Sequence, residues 1–260
     1  MVSLLLPVIY LAFISLGLPD SLLGSAWPVM YQELGTSVSA AGIISMIISA
    51  GTIVSSLNSD RLNTRFGTGK VTAVSVLTTA VALFGFSISH SFWALCLWGI
   101  PYGLGAGSVD AALNNYVALH YKARHMSWLH CFWGVGTIVS PFIMGYALTN
   151  RTWNSGYRII GFLQLAIAIL LLLTLPVWNI NKSATETAGK SVGLVGALKI
   201  KGVPFLLLGF FAYCALEATA MQWASTYFVE VKGISTERAA TFAALFYLSL
   251  IHISEPTRRS

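Results

Sequence analysis

Seven apolar runs, each about as long as a bilayer's hydrocarbon core requires of a crossing helix (roughly 20 residues), dominate the chain and leave few ways to fold it. They cover residues 4–30, 38–57, 71–90, 92–118, 127–148, 157–178 and 203–228, and a shortened eighth runs from 239 to about 253. With 9% charged residues against 56% hydrophobic, and a mean hydropathy of +0.74, the 260 residues hold too little polar side chain to clothe a water-soluble globule. Their solvent is lipid. Lipid-facing barrel strands alternate apolar and polar residues, whereas these runs are continuous, so the spans read as α-helices. The first run has no basic start and passes Asp20 to reach Pro28, longer than the core of a secretory signal (roughly 7–15 residues).

The basic residues report topology. The formal net charge is +6, but Lys and Arg are scattered over the interhelical breaks and form no stripe interleaved with aromatics, which excludes a nucleic-acid surface. Sorted by alternate breaks, Arg61, Arg65, Lys70, Lys122, Arg124, Lys182, Lys190, Lys199 and Lys201 fall on one side, nine in all. Arg151, Arg158, Lys232 and Arg238 fall on the other. The positive-inside rule makes the nine-residue side cytoplasmic, places the N-terminus there too, and predicts a multi-pass protein of the cell membrane. Cys96, Cys131 and Cys214 lie in apolar segments without C-x-x-C spacing, so neither a zinc site nor a disulfide framework is indicated. His120, His125 and His130 are five residues apart, on different helix faces, and the reading assigns no metal and no cofactor. Trp27, Trp153 and Trp178 lie near span ends, where interfacial aromatics are expected.

Three acids stand inside apolar spans: Asp20, Asp110 and Glu217. A carboxylate at a helix centre costs about 2.5–3.5 kcal/mol on insertion scales, so three of them need a reason. They fall in spans 1, 4 and 7, the first of each successive group of three, as a repeated three-helix unit would place them. The segments Gly17-Leu-Pro-Asp20-Ser-Leu-Leu23 and Gly107-Ser-Val-Asp110-Ala-Ala-Leu113 share the pattern G-x-x-D-x-x-L. Helical spacing puts Gly17, Asp20, Gly24 and Pro28 on one stripe, and Gly103, Gly107, Asp110 and Asn114 on another. Such stripes let backbones approach and face a bundle interior or wet cavity. On this reading the three acids couple protons to substrate, His130 makes polar contact with substrate or with Asp110, and Trp223 offers a ring-stacking platform.

The segment SSLNSDRLNTRFGTGK, residues 55–70, resembles the loop between helices 2 and 3 of the major facilitator superfamily, whose pattern is G-x-x-x-D-R-x-G-R-K. Asp60 and Arg61 match its acid and base. Ser56 stands where the pattern has glycine, and the R-x-G of Arg65-Phe-Gly67 arrives four residues late. The resemblance implies that Asp60, Arg61 and Arg65 latch a cytoplasmic gate by contacts to adjacent helix ends. Acids in helices 1 and 4 are similar to the fucose permease group of proton-coupled sugar symporters. That likeness implies proton and substrate coupling at Asp20 and Asp110, and chemistry alone makes Asn114, Asn115, Gln222 and Trp223 the candidates for sugar contacts.

The expected architecture is therefore all-α and integral to the membrane: a six-helix bundle over 1–178, a cytoplasmic linker over 179–201, and from 202 to 260 the first one to two helices of a second bundle. The partners are a small solute, protons and the bilayer, and the expected state is a monomer. The eighth span is too short for a full crossing and ends in SLIHISEPTRRS, which resembles translated adapter sequence, so the chain reads as C-terminally truncated with residues from about 249 non-native. The rival readings are a drug or metabolite efflux antiporter, a receptor-like membrane protein and an intramembrane enzyme. Span 5 reads Ser140-Pro141-Phe-Ile-Met-Gly145 where the antiporter pattern has G-P-x-x-G-G, and no nucleophile or metal cluster flanks any acid.

Overall fold

The computed structural model describes residues 2–178 and 194–254, and every element in it is helical. The order is α1 (Val2–Asp20), α2 (Leu22–Glu33), a 3-10 turn (Val38–Ala40), α3 (Ala41–Phe66), α4 (Thr68–Ile88), α5 (Phe92–His120), α6 (Ala123–Asn150), α7 (Trp153–Leu173), α8 (Leu175–Trp178), α9 (Leu194–Leu198), α10 (Val203–Glu230) and α11 (Thr236–Ser254). Seven helices, counting α1 and α2 as one, are long and apolar enough to cross a membrane. They coincide with the seven runs of the sequence. In hydrocarbon each backbone N–H and C=O must be satisfied within the chain, and a helix does this locally.

The structure adds detail to three parts of the sequence reading. Span 1 comprises α1 and α2, which are separated by the single residue Ser21, in right-handed helical backbone directly after Pro19-Asp20. The segment 55–70 is not an extended loop: α3 runs on to Phe66, and Gly67, at φ +85, makes the whole turn into α4. Trp27, Trp153 and Trp178 are not interfacial but buried, the first with its Nε1 donating to the Val38 carbonyl at 2.7 Å. Of the linker, residues 179–193, including Lys182 and Lys190, lie outside the described residues. The remainder holds the short α9 and the turn before α10.

Small residues and hydroxyls set the packing. Gly103 and Gly107 on α5 meet α3 so closely that a Cβ would stand 2.2 Å from the Ile48 carbonyl oxygen and 2.3 Å from that of Thr52. Lipid is as apolar as leucine, so helices in it associate through such close approach and through interhelical hydrogen bonds. Both are present here, since Thr52 donates to the Gly103 carbonyl at 3.3 Å, Ser56 donates to that of Gly107 at 3.1 Å, and Ser55 bonds Ser108. Gly17 and Gly136 bring α1 onto α6 in the same manner. Away from these seams the surface is apolar: Phe205, Leu206, Leu208, Phe211 and Leu216 of α10 all face outward.

The second bundle's two helices dock on the first bundle, α10 along α2 and α11 along α6. A Cβ on Gly24 would lie 2.1 Å from the Met221 carbonyl, so α2 and α10 touch backbone to backbone. At the end of that seam Tyr31 donates to Glu230 Oε1 at 2.7 Å. Nearby, buried Trp153 donates to Glu33 Oε2 at 2.6 Å and ties the end of α2 to the start of α7. Trp153→Phe is expected to destabilise the bundle by about 1–3 kcal/mol, through this hydrogen bond to a carboxylate. Thermal unfolding in detergent reads the effect, and an unchanged midpoint counts against the tie.

Candidate functional site

Between α10 and the first bundle lies a cavity of about 260 Å³ that opens beside the α1–α2 break. The break presents Asp20. Ser21, fully buried behind it, donates to the Thr137 carbonyl at 3.0 Å and bonds Ser140 Oγ at 2.6 Å, which anchors the discontinuity to α6. Asp20 keeps accessible surface in the cavity although protein surrounds it. Its two carboxylate oxygens are held from two further helices: Tyr102 of α5 donates its hydroxyl to Oδ1 at 3.0 Å, and Trp133 of α6 donates its indole N–H to Oδ2 at 2.8 Å. Two neutral donors thus fix the carboxylate, with no counter-charge bound to it among the described residues.

Across the cavity stands Gln222 of α10. Its Oε1 accepts from Ser45 of α3 at 2.8 Å, while its Nε2 is buried without a partner among the described residues. Ser49, Phe86 and Tyr157 complete the polar and aromatic wall, with Phe86 and Tyr157 stacked at 5.2 Å between centroids. The lining comes from both bundles, so relative movement of α10 and α3 changes the cavity itself.

Asp110 belongs to a second cluster. It keeps accessible surface, and Asn114 donates to its Oδ1 at 2.8 Å across one helical turn of α5. His130 of α6 stands within electrostatic range of it and makes an edge contact with Phe13, centroids 6.0 Å apart. Asn115 is exposed on α5. Glu217, five residues before Gln222 on α10, lies within hydrogen-bond reach of Tyr213, and its Oε1 is buried without a partner among the described residues. Asp110 and Glu217 are both in electrostatic range of Asp20. Trp223 packs half-buried against the core rather than lining the cavity.

Among the candidate residues, then, the structure gathers Asp20 and Gln222 at one cavity and Asp110, Asn114 and His130 beside it. The residues at the end of α3 stay apart. Asp60, Arg61 and Arg65 are exposed along the last turns of α3, and Arg65 lies over the Phe66 ring at 5.3 Å. Among the described residues no ion pair joins them to a neighbouring helix, and the main-chain carbonyls of Asp60 and Arg61 accept from Thr64 within the same helix. Sequence reasoning missed Tyr102, Trp133, Ser45 and Tyr157. Tyr102 and Trp133 sit 82 and 113 residues from the acid they hold, and only the helix crossings bring them there.

Six helical spans, two further helices packed on them and an acid in the cavity between define an all-helical architecture of the membrane-spanning kind. The profile of the Major Facilitator Superfamily matches residues 9–254, and the chain belongs to that family of transporters. It is 22% identical over 263 residues to Bypass of stop codon protein 6 of Saccharomyces cerevisiae, an alignment covering 92% of this chain and 53% of the yeast protein. It is 23% identical over 254 residues to the hexuronate transporter of Bacillus subtilis, covering 92% of this chain and 60% of that one. Its fold matches the crystal structure of a D-xylose-proton symporter with a TM-score of 0.65 at 15% identity, over 95% of this chain and 66% of the symporter. The chain spans between about half and two thirds of the length of these proteins.

Proposed function

We propose that this chain acts in secondary active transport, moving a small solute with protons across the cell membrane by alternating access, its N-terminus in the cytoplasm. Asp20 carries the reading: an acid at a helix break, accessible in a cavity shared by both bundles and held by two neutral donors. Protonation there removes the one formal charge of the wall and lets α10 move against α2 and α3. Asp110 and Glu217, in electrostatic range, serve as its relay partners. The six-helix bundle over 1–178 and the helices from 202 are the two rocking units, with Asp60, Arg61 and Arg65 as the cytoplasmic latch.

For the solute, similarity to the fucose permease group supports a sugar, with Gln222 as the first contact. Asn114, Asn115, His130 and Trp223 enter only if the cavity widens toward Asp110. In proteoliposomes at zero membrane potential, adding the solute outside is expected to carry protons inward, seen as acidification by an entrapped pH dye. Solute uptake with no proton movement would sink the symport reading.

A further inference from the structure

We infer that the central cavity admits an uncharged solute and rejects carboxylates, although the curated relatives include a hexuronate transporter. The inference rests on the proton-symport reading and adds the charge class of its substrate. Among the described residues lining the cavity there is no Lys, Arg or His, and the single carboxylate is Asp20. The spans behave alike: Arg61, Arg65, Lys70, Arg124 and Arg158 lie within two turns of a helix end, and the helix centres hold acids but neither Lys nor Arg.

An anionic solute entering this space leaves its hydration shell and meets no cation. While Asp20 is ionised, it also meets a like charge. Two charges about 4 Å apart at an effective dielectric of 20 repel by about 4 kcal/mol, hundreds-fold in affinity. Protonating Asp20 removes the repulsion but supplies no partner, and an unpaired buried charge is still opposed. A cationic solute finds its counter-charge only when Asp20 lacks the proton that symport requires it to carry.

An uncharged hydroxylated solute fits both constraints. Ser45, Ser49 and Gln222 offer neutral donors and acceptors, and Phe86 and Tyr157 offer ring surface to the apolar face of a sugar-sized ring. The Gln222 amide already spends its oxygen on Ser45, while its Nε2 is buried and lacks a partner among the described residues, so a turn of this side chain into the cavity would offer an incoming hydroxyl a donor.

The test uses matched pairs differing by one carboxylate: D-glucose with D-glucuronate, nicotinamide with niacin, and 4-hydroxybenzyl alcohol with 4-hydroxybenzoate. Choline is the cationic arm. Binding to the whole chain in nanodiscs is read by thermal stabilisation. The uncharged member of at least one pair is expected to bind on the order of 100-fold more tightly than its carboxylate. Gln222→Arg, which sets a guanidinium at the cavity wall, is expected to narrow that gap at least tenfold.

A carboxylate that binds the wild-type chain as well as its uncharged partner overturns the charge rule, as does choline binding most tightly. If Gln222→Arg folds yet leaves the gap unchanged, the rule is overturned as well, because charge at the wall is then not what discriminates. Neither result touches the carrier reading if proton movement still accompanies uptake. Loss of proton movement while uncharged solutes still bind defeats the symport reading instead, and silence from every probe defeats both.

Discussion

Leucine at Gly107 is expected to separate α3 from α5 and to cost about 3 kcal/mol or more, at or beyond the upper end of ordinary overpacking. The obstacle is main chain. A Cβ there would stand 2.3 Å from the Thr52 carbonyl oxygen and 2.8 Å from Thr52 Cα, and backbone cannot swing aside as a side-chain tip can. Separation also breaks the Ser56 bond to the Gly107 carbonyl and the Ser55–Ser108 pair, leaving hydroxyls without partners in a medium that offers none. Gly99, on the same helix, is the control. A Cβ there would come no closer than 3.5 Å to its neighbours, side-chain carbons of Ile47 and Ile48, which is an ordinary contact, so Gly99→Ala is expected to fold normally. Thermal unfolding of both variants in detergent reads the contrast, and equal midpoints would show that the α3–α5 seam does not depend on close approach.

Replacing Asp20 by asparagine is expected to abolish accumulation driven by a proton gradient while leaving solute exchange in place. The amide is isosteric: its oxygen can keep accepting from the Trp133 indole while its NH2 donates to the Tyr102 hydroxyl, which can turn to accept, so the cavity keeps its shape. It cannot carry a proton. One proton per solute lets a gradient of about one pH unit support about tenfold accumulation. In proteoliposomes the variant should therefore fall from that level to equilibrium, with counterflow persisting because exchange needs no net proton. The idea fails if Asp20→Asn still concentrates solute about tenfold. Asp110→Asn is expected to reduce accumulation less, because Asp110 is outside the cavity lining and keeps its own partner in Asn114.

Much of this site was legible before any fold was known, but unevenly. Asp20 announced itself because a carboxylate in an apolar run is costly enough to demand a function, and Gln222 was named among the sugar contacts by its chemistry alone. The tyrosine and tryptophan that hold Asp20 carried no such signal, since aromatic residues in membrane spans are ordinary. Trp27 and Trp153 show the opposite error. Position near a span end suggested the interface, yet each is enclosed by helices that the one-dimensional pattern does not bring together. The 55–70 segment erred for a related reason: Asp60 and Arg61 mark where the chain leaves the hydrocarbon, but a helix can leave it and continue, as α3 does to Phe66.

The linear chain alone decides the solvent and the secondary structure. Runs this long and this apolar have lipid for solvent, and in lipid the backbone has to satisfy itself, which makes helices of them. It also decides that charge inside the membrane is acidic, since Lys and Arg lie only near the span ends. Which polar groups meet is another matter. That Asp20 faces Gln222 across a cavity, clasped by Tyr102 and Trp133, follows from where glycines let α1 close on α6 and α2 on α10. Those crossings depend on backbone surfaces fitting in three dimensions, and residues a hundred positions apart become neighbours only when they do.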